Sequence, residues 1–179
     1  MKIPTNANAA AYGLMYGIAS RNHTFFYDGW DKDSIKQYKR VVTAVFCERW
    51  IIEFCNINGI QCHGDGSHFT QNDEYDIQIG KWKFDIKSST RRDYMQVNAN
   101  LMNKDIQGYI FCRTNDNMDM IDIKGIISKK IFYQKATFVE YGHLTPDGWK
   151  QKYKNGSYFL HESLFESIGV QSIYNLKKN

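Results

Sequence analysis

Proline is almost absent from this chain: Pro4 and Pro146 are the only two in 179 residues. No Gly- or Ser-rich tract divides it and no internal repeat or low-complexity segment appears, so a single compact domain is the economical division. No run approaches the ~20 apolar residues a membrane span needs. The opening stretch, MKIPTNANAAAYGLMYGIAS, has one early lysine and an apolar run broken by Tyr and Gly, unlike a secretory leader. Cysteine is scarce and lacks any CxxC pairing. Cys47 and Cys55 fall inside a helical pattern, so the cysteines read as small buried thiols of a reducing, cytoplasmic (intracellular) compartment rather than as a disulfide frame. Cys55, Cys62, His63 and His68 match no standard zinc spacing.

What is present is ordinary in amount and uneven in placement. Hydrophobic residues make up 42% and charged residues 23%, enough of each for a globular core and a solvated surface. Residues 1–90 hold 10 Lys/Arg and 10 Asp/Glu, whereas residues 91–179 hold 13 and 9, so the whole net charge of +4 falls in the second half. A neutral half beside a basic half is compatible with a polyanionic partner and equally with ordinary surface lysines.

Residues 6–20 have the pattern of a short helix, followed by an aromatic loop, NHTFFYDGWDKD. Asp33 or Ser34 caps a longer helix running to about Asn56, which Asn58-Gly59 ends. HGDGSHF reads as a loop. Residues 74–79 and 82–88 alternate as strands, then come a polar connection, strands near 107–113 and 120–127, a turn at TNDN between them, the segment KATFVEYG, a turn at TPDG and a strand near 157–160. A helix followed by several strands predicts an α/β (α+β) fold with a mixed central β-sheet.

The stretch YDIQIGKWKFDIKSST carries the chemistry. Ile79-Gly80-Lys81-Trp82 predicts a two-residue hairpin turn, because Gly80 can take φ > 0 at its first central position. That turn fixes the register: Ile79 opposite Trp82, Gln78 opposite Lys83, Ile77 opposite Phe84, Asp76 opposite Asp85. Tyr75, Ile77, Ile79, Trp82, Phe84 and Ile86 share one face. Glu74, Asp76, Gln78, Lys83, Asp85 and Lys87 share the other. Asp76 and Asp85 become direct neighbours, a placement in which like charges destabilise. A hard divalent cation would resolve the repulsion; so would neutralisation by Lys83 and Lys87. On the preceding helix, Val41, Ala44, Val45, Ile51, Ile52 and Cys55 form an apolar stripe with Glu48 in its middle, a costly place for a carboxylate unless it is paired or metal-bound. Glu53 has a simpler role, as an i,i+4 partner of Arg49.

This order of residues, with Glu48 on a helix, then Asp76, then Asp85-x-Lys87, resembles the PD-(D/E)XK or restriction-endonuclease-like nuclease superfamily. CERWIIEFCNINGI is similar to its helix and FDIKSS to its third motif. The resemblance covers roughly residues 40–113; Tyr75 stands where the family often has a proline. It implies one nuclease domain over residues 1–179: an N-terminal extension at 1–33, a catalytic core at 34–127, and a part at 128–179 that completes the sheet and contributes to DNA binding. It further implies a Mg²⁺-dependent DNA endonuclease, with Mn²⁺ as a substitute, leaving 5′-phosphate and 3′-hydroxyl ends. Asp76, Asp85 and the carbonyl of Ile86 would hold the metal, Glu48 would complete its shell, and Lys87 would position water. Ser88, Ser89, Thr90, Arg91 and Arg92 would meet phosphates, and Lys129, Lys130, Lys150, Lys152 and Lys154 would extend a basic track. Nothing in the sequence selects among Trp30, Tyr94 and Trp149 as base-stacking residues. Cutting both strands calls for two active sites, hence a homodimer. A Holliday-junction-resolving nuclease and a catalytically inactive nucleic-acid-binding module on the same fold are the alternatives. A second D-x-K, Asp122 and Lys124, has no opposing acid on a paired strand and reads as ordinary strand.

Overall fold

Gly80 takes φ +57, and around it Ile79 pairs with Trp82, Gln78 with Lys83 and Ile77 with Phe84, in the register the turn residues dictate. The computed structural model describes residues 2–4, 35–64, 74–90, 92–115, 120–165, 173 and 176. The helix expected at 6–20, the aromatic loop after it, and Asp33 and Ser34 lie outside these residues.

Helix α1 (Ile35–Ile57) contains neither Gly nor Pro. It ends as the sequence requires. Gly59 takes φ +62, its N–H reaches the Asn56 carbonyl at 3.2 Å, and the Ile60 N–H reaches the Cys55 carbonyl at 2.9 Å. These bonds engage carbonyls of the last helical turn and bury Ile60 against the helix end.

The described strands are β1 (Lys2–Pro4), β2 (Cys62–Gly64), β3 (Ile77–Ile79), β4 (Trp82–Ser89), β5 (Tyr94–Asn98), β6 (Gly108–Thr114), β7 (Met120–Ser128), β8 (Thr137–Val139) and β9 (Ser157–His161). A short helix, α2 (Lys129–Lys135), follows β7, with the Ser128 hydroxyl accepting the Ile131 N–H. The main sheet has order β1-β7-β6-β4-β3-β2 and a second sheet β5-β9-β8. Only β4 and β6 pair in parallel; the other pairings are antiparallel, so the main sheet is mixed. The mixed α/β architecture agrees with the sequence. Four elements do not: β2 occupies part of the expected HGDGSHF loop, the expected polar connection contains β5, and β1 and α2 have no counterpart among the expected elements.

Two cores lie on opposite faces of the main sheet. Phe46, Cys47, Trp50, Ile51 and Cys55 of α1 cluster with Ile77, Ile79, Phe84, Ile86, Ile110 and Cys112. Met95, Val97, Tyr109, Phe111, Phe132 and Leu160 make the second core, beneath α2 and the second sheet. Full burial of each aliphatic or Phe side chain is worth roughly 1.5–3 kcal/mol. The four cysteines are free thiols that meet in two pairs, Cys47 with Cys112 and Cys55 with Cys62. Among the described residues, no helix is long and apolar enough to cross a membrane.

Candidate functional site

Strand alternation sends Phe84 and Ile86 toward α1 and Asp85 and Lys87 to the other face, beside the second core. In the parallel ladder Asp85 lies opposite Tyr109 and Lys87 opposite Phe111. Asp76 stands just before β3. Its N–H reaches the Phe84 carbonyl at 3.0 Å, and its Oδ2 accepts the Ile86 N–H at 2.6 Å. The hairpin thus continues one step past the ladder and sets Asp76 beside Asp85, as the turn register predicts.

Three of the expected site residues, Asp76, Asp85 and Lys87, come together. Lys87 Nζ lies 2.7 Å from Asp85 Oδ2, an ion pair rather than a well-directed hydrogen bond. The fourth member is Lys104, which the sequence reading missed. Its ammonium bonds Asp85 Oδ1 and stands 3.7 Å from Asp76 Oδ1, so it sits between the two acids. Two carboxylates and two ammonium groups make a neutral, largely buried cluster, the condition under which buried charge is tolerable.

Lys104 is held in place through its backbone. Its N–H reaches the Leu101 carbonyl at 3.1 Å, and Lys129 Nζ donates to its carbonyl at 2.6 Å. Three residues on, the Gln107 N–H bonds the Lys83 carbonyl at 2.9 Å while Gln107 Oε1 accepts the Lys83 N–H at 2.7 Å, locking the turn to β4. No local motif announces Lys104. Only the long-range pairing of β6 with β4 brings it to Asp85.

The two acids differ in their titration. Burial and the facing Asp85 push Asp76 up to about 6, against the pull of Lys87, Lys104 and the Ile86 N–H. Burial acts on Asp85 too, but Lys87 and Lys104 outweigh it and hold that carboxyl at about 2. Tyr109, opposite Asp85, has its hydroxyl 3.1 Å from that of Tyr133, and burial with this bond pushes its pKa up.

One expectation, the central place of Glu48, needs correction. Glu48 is half-buried on the flank of the α1 stripe, whose buried centre is Phe46, Cys47, Trp50 and Ile51. Phe46, Cys47 and Trp50 take the packed face, which turns the centre of the stripe away from Glu48. Among the described residues no three His, Cys, Asp or Glu side chains form a metal-holding group, so Glu48 does not join the two aspartates in one. Lys83 pairs with Glu74 at 3.6 Å and lies over the Tyr75 ring, away from the two aspartates. Arg92 is engaged by Asp147 at 3.2 Å and Gln96 at 3.3 Å, and its backbone N–H bonds Ser89 Oγ at 2.8 Å. Ser88 is half-buried on β4 and Arg91 lies outside the described residues. Lys129 Nζ is engaged by the Lys104 carbonyl. Tyr94 packs edge-on against His161, and Trp30 is not described. Two side readings agree with the structure: Arg49 pairs with Glu53 at 3.0 Å, and Lys124 pairs with Asp122 at 2.9 Å within β7.

The donor set fits a hard cation. Asp76 and Asp85 offer oxygens on one face, the Ile86 carbonyl lies on the same strand as Asp85, and Mg²⁺ needs only one or two carboxylates, its other positions being met by water and phosphate. Lys104 holds the place of positive charge between the acids. No family model, curated protein or solved structure matches the chain.

Proposed function

We propose that this chain is a Mg²⁺-dependent DNA endonuclease with a restriction-endonuclease-like fold, acting as a restriction or a phage/repair nuclease. The observation that carries the proposal is the hairpin register, which sets Asp76 beside Asp85 with Lys87 on the same face. The mixed sheet with α1 packed on one face agrees with that fold. Asp76 and Asp85 would hold the ion, which when bound polarises phosphate and lowers the pKa of its water. Lys87, two residues beyond Asp85, positions the attacking water and stabilises charge developing on the phosphate. Lys104 keeps the two acids compatible with burial until the ion arrives. Glu48 is not required in the shell.

The test is nicking and linearisation of supercoiled plasmid in Mg²⁺ or Mn²⁺, with EDTA, Asp85→Ala and Lys87→Ala alongside. Cleavage by wild type that EDTA and Asp85→Ala abolish, and that Lys87→Ala lowers at least about 100-fold, is expected. Absence of cleavage on plasmid, branched and single-stranded DNA would overturn the proposal.

One observation favours a second reading. Lys104 already neutralises the facing acids, which suits a nucleic-acid-binding module without catalysis. In that case Mg²⁺ and Mn²⁺ leave the melting temperature unmoved in wild type and in Lys104→Met alike. The nuclease reading expects metal to stabilise Lys104→Met more than wild type.

A further inference from the structure

The connection between β8 and β9 is stiffly built, yet it turns large apolar side chains outward. Leu144 bridges Lys150, the Gly142 N–H reaches the Gln151 carbonyl at 2.9 Å, and the Gln151 N–H reaches the His143 carbonyl at 2.8 Å. The tip is the turn Thr145-Pro146-Asp147-Gly148. It is closed by the Gly148 N–H on the Thr145 carbonyl at 2.8 Å and the Thr145 N–H on the Trp149 carbonyl at 2.7 Å. The Thr145 hydroxyl accepts the Trp149 N–H at 2.9 Å. Pro at the second position and Gly at the fourth suit this turn. At its base the buried Gln151 side chain takes the N–H groups of Lys152 and Tyr153.

On this tongue Tyr141 is 60% exposed, Leu144 72% and Trp149 59%. A loop fixed by so many hydrogen bonds has no need of three large apolar groups in water. Large exposed apolar side chains gathered on one ordered loop point to a contact surface. The tongue is also tied to the candidate site. Arg92 pairs with Asp147 at 3.2 Å, its guanidinium lies 5.8 Å from the Trp149 ring, and its N–H is held by Ser89, the last residue of the strand that carries Asp85 and Lys87. The charge is asymmetric. Residues 140–154 hold two acids, Glu140 and Asp147, the latter paired with Arg92, against Lys150, Lys152 and Lys154, all at exposed positions.

We propose that Tyr141, Leu144 and Trp149 are a stacking platform for unpaired bases of a nucleic acid, with Lys150, Lys152 and Lys154 meeting its phosphates. This rests on the nuclease reading for its substrate class and narrows it to single-stranded or branched DNA. Flat aromatic faces beside lysines match bases whose faces are open, whereas a duplex presents only its edges and backbone.

The experiment is fluorescence anisotropy of a labelled oligo(dT) and of a closed duplex, both in EDTA, with full-length wild type, Trp149→Ala, Trp149→Phe and Tyr141→Ala. Melting curves confirm that each variant folds. Trp149→Ala is expected to weaken oligo(dT) binding about tenfold or more, Tyr141→Ala less, and Trp149→Phe to retain most of it, with duplex affinity changed less than about twofold. Unchanged oligo(dT) affinity in Trp149→Ala overturns the inference. So does an equal loss on duplex, failure of wild type to bind oligo(dT), or a Trp149-dependent self-association in the ultracentrifuge with oligo(dT) binding intact. Tight, Trp149-dependent oligo(dT) binding by a protein that cuts no DNA in Mg²⁺ sinks the nuclease proposal and leaves the platform standing.

Discussion

Asp76 and Asp85 are neighbours of the same chemistry with opposite electrostatic fates. Asp85 has two lysines in direct contact, while Asp76 has only Lys104 within 4 Å, at 3.7 Å, and feels Lys87 from farther off. Because the Asp76 carboxyl is pushed up to about 6 in the folded chain, folding favours its protonated form. Its contribution is fully present below the ordinary carboxylate range and is lost as pH rises through about 6. Asp85, held at about 2, works the other way: its contribution is present above the ordinary range and is lost as pH falls through about 2. Melting curves in EDTA therefore separate the two. Asp76→Asn is expected to stabilise the protein at pH 8, by up to about 3 kcal/mol, and to do little at pH 5; parallel curves at both pH values would refute this. Asp85→Asn is expected to destabilise at both, by roughly 3–5 kcal/mol, because it strands the Lys87 ammonium and leaves Lys104 only the more distant Asp76.

At the scale of elements, what the sequence reveals depends on how far apart the partners are. The β3–β4 hairpin is legible to the residue because Gly80 fixes its register, and the end of α1 is legible because Gly59 can adopt the left-handed conformation that closes it. The TPDG turn is equally local. Lys104 is not legible, since its role comes from the parallel pairing of β4 with β6 across a crossover that visits another sheet. β5 escapes because its pairing partner, β9, is distant in the chain. α2 escapes because its only buried side chain is Phe132, which leaves no apolar period to read. Glu48 was misjudged for a related reason: a helical wheel ranks faces by composition, while the sheet chooses the face that packs. The crossover has a tight point of its own. A Cβ on Gly108 would collide with the Ile127 carbonyl oxygen and lie 3.2 Å from its carbon, backbone atoms that cannot swing aside. Gly108→Ala should cost about 1–3 kcal/mol in urea denaturation. It should also weaken any metal-dependent stabilisation, because β6 carries the Lys104 turn.

At the scale of the molecule, the described residues form a mixed sheet with α1 and its core on one face and a second sheet with α2 on the other, and the charged cluster lies on the latter face. The described residues of one chain present one such cluster, so under the nuclease proposal a single protein molecule would cut one strand at a time. Under the nuclease proposal, nicked circles should accumulate before linear plasmid at low protein concentration, and the lag between them should shorten as concentration rises if two copies act together; agarose gels of a time course read this directly. The arrangement also bears on the order of folding. The two aspartates are brought together by a two-residue turn, an event of microseconds, whereas Lys104 reaches them only when the crossover is complete, a slower, non-local step. The nascent hairpin therefore carries an uncompensated repulsion that the finished protein does not, and any proton or cation that reaches it early acts as a temporary counter-ion until the chain supplies its own.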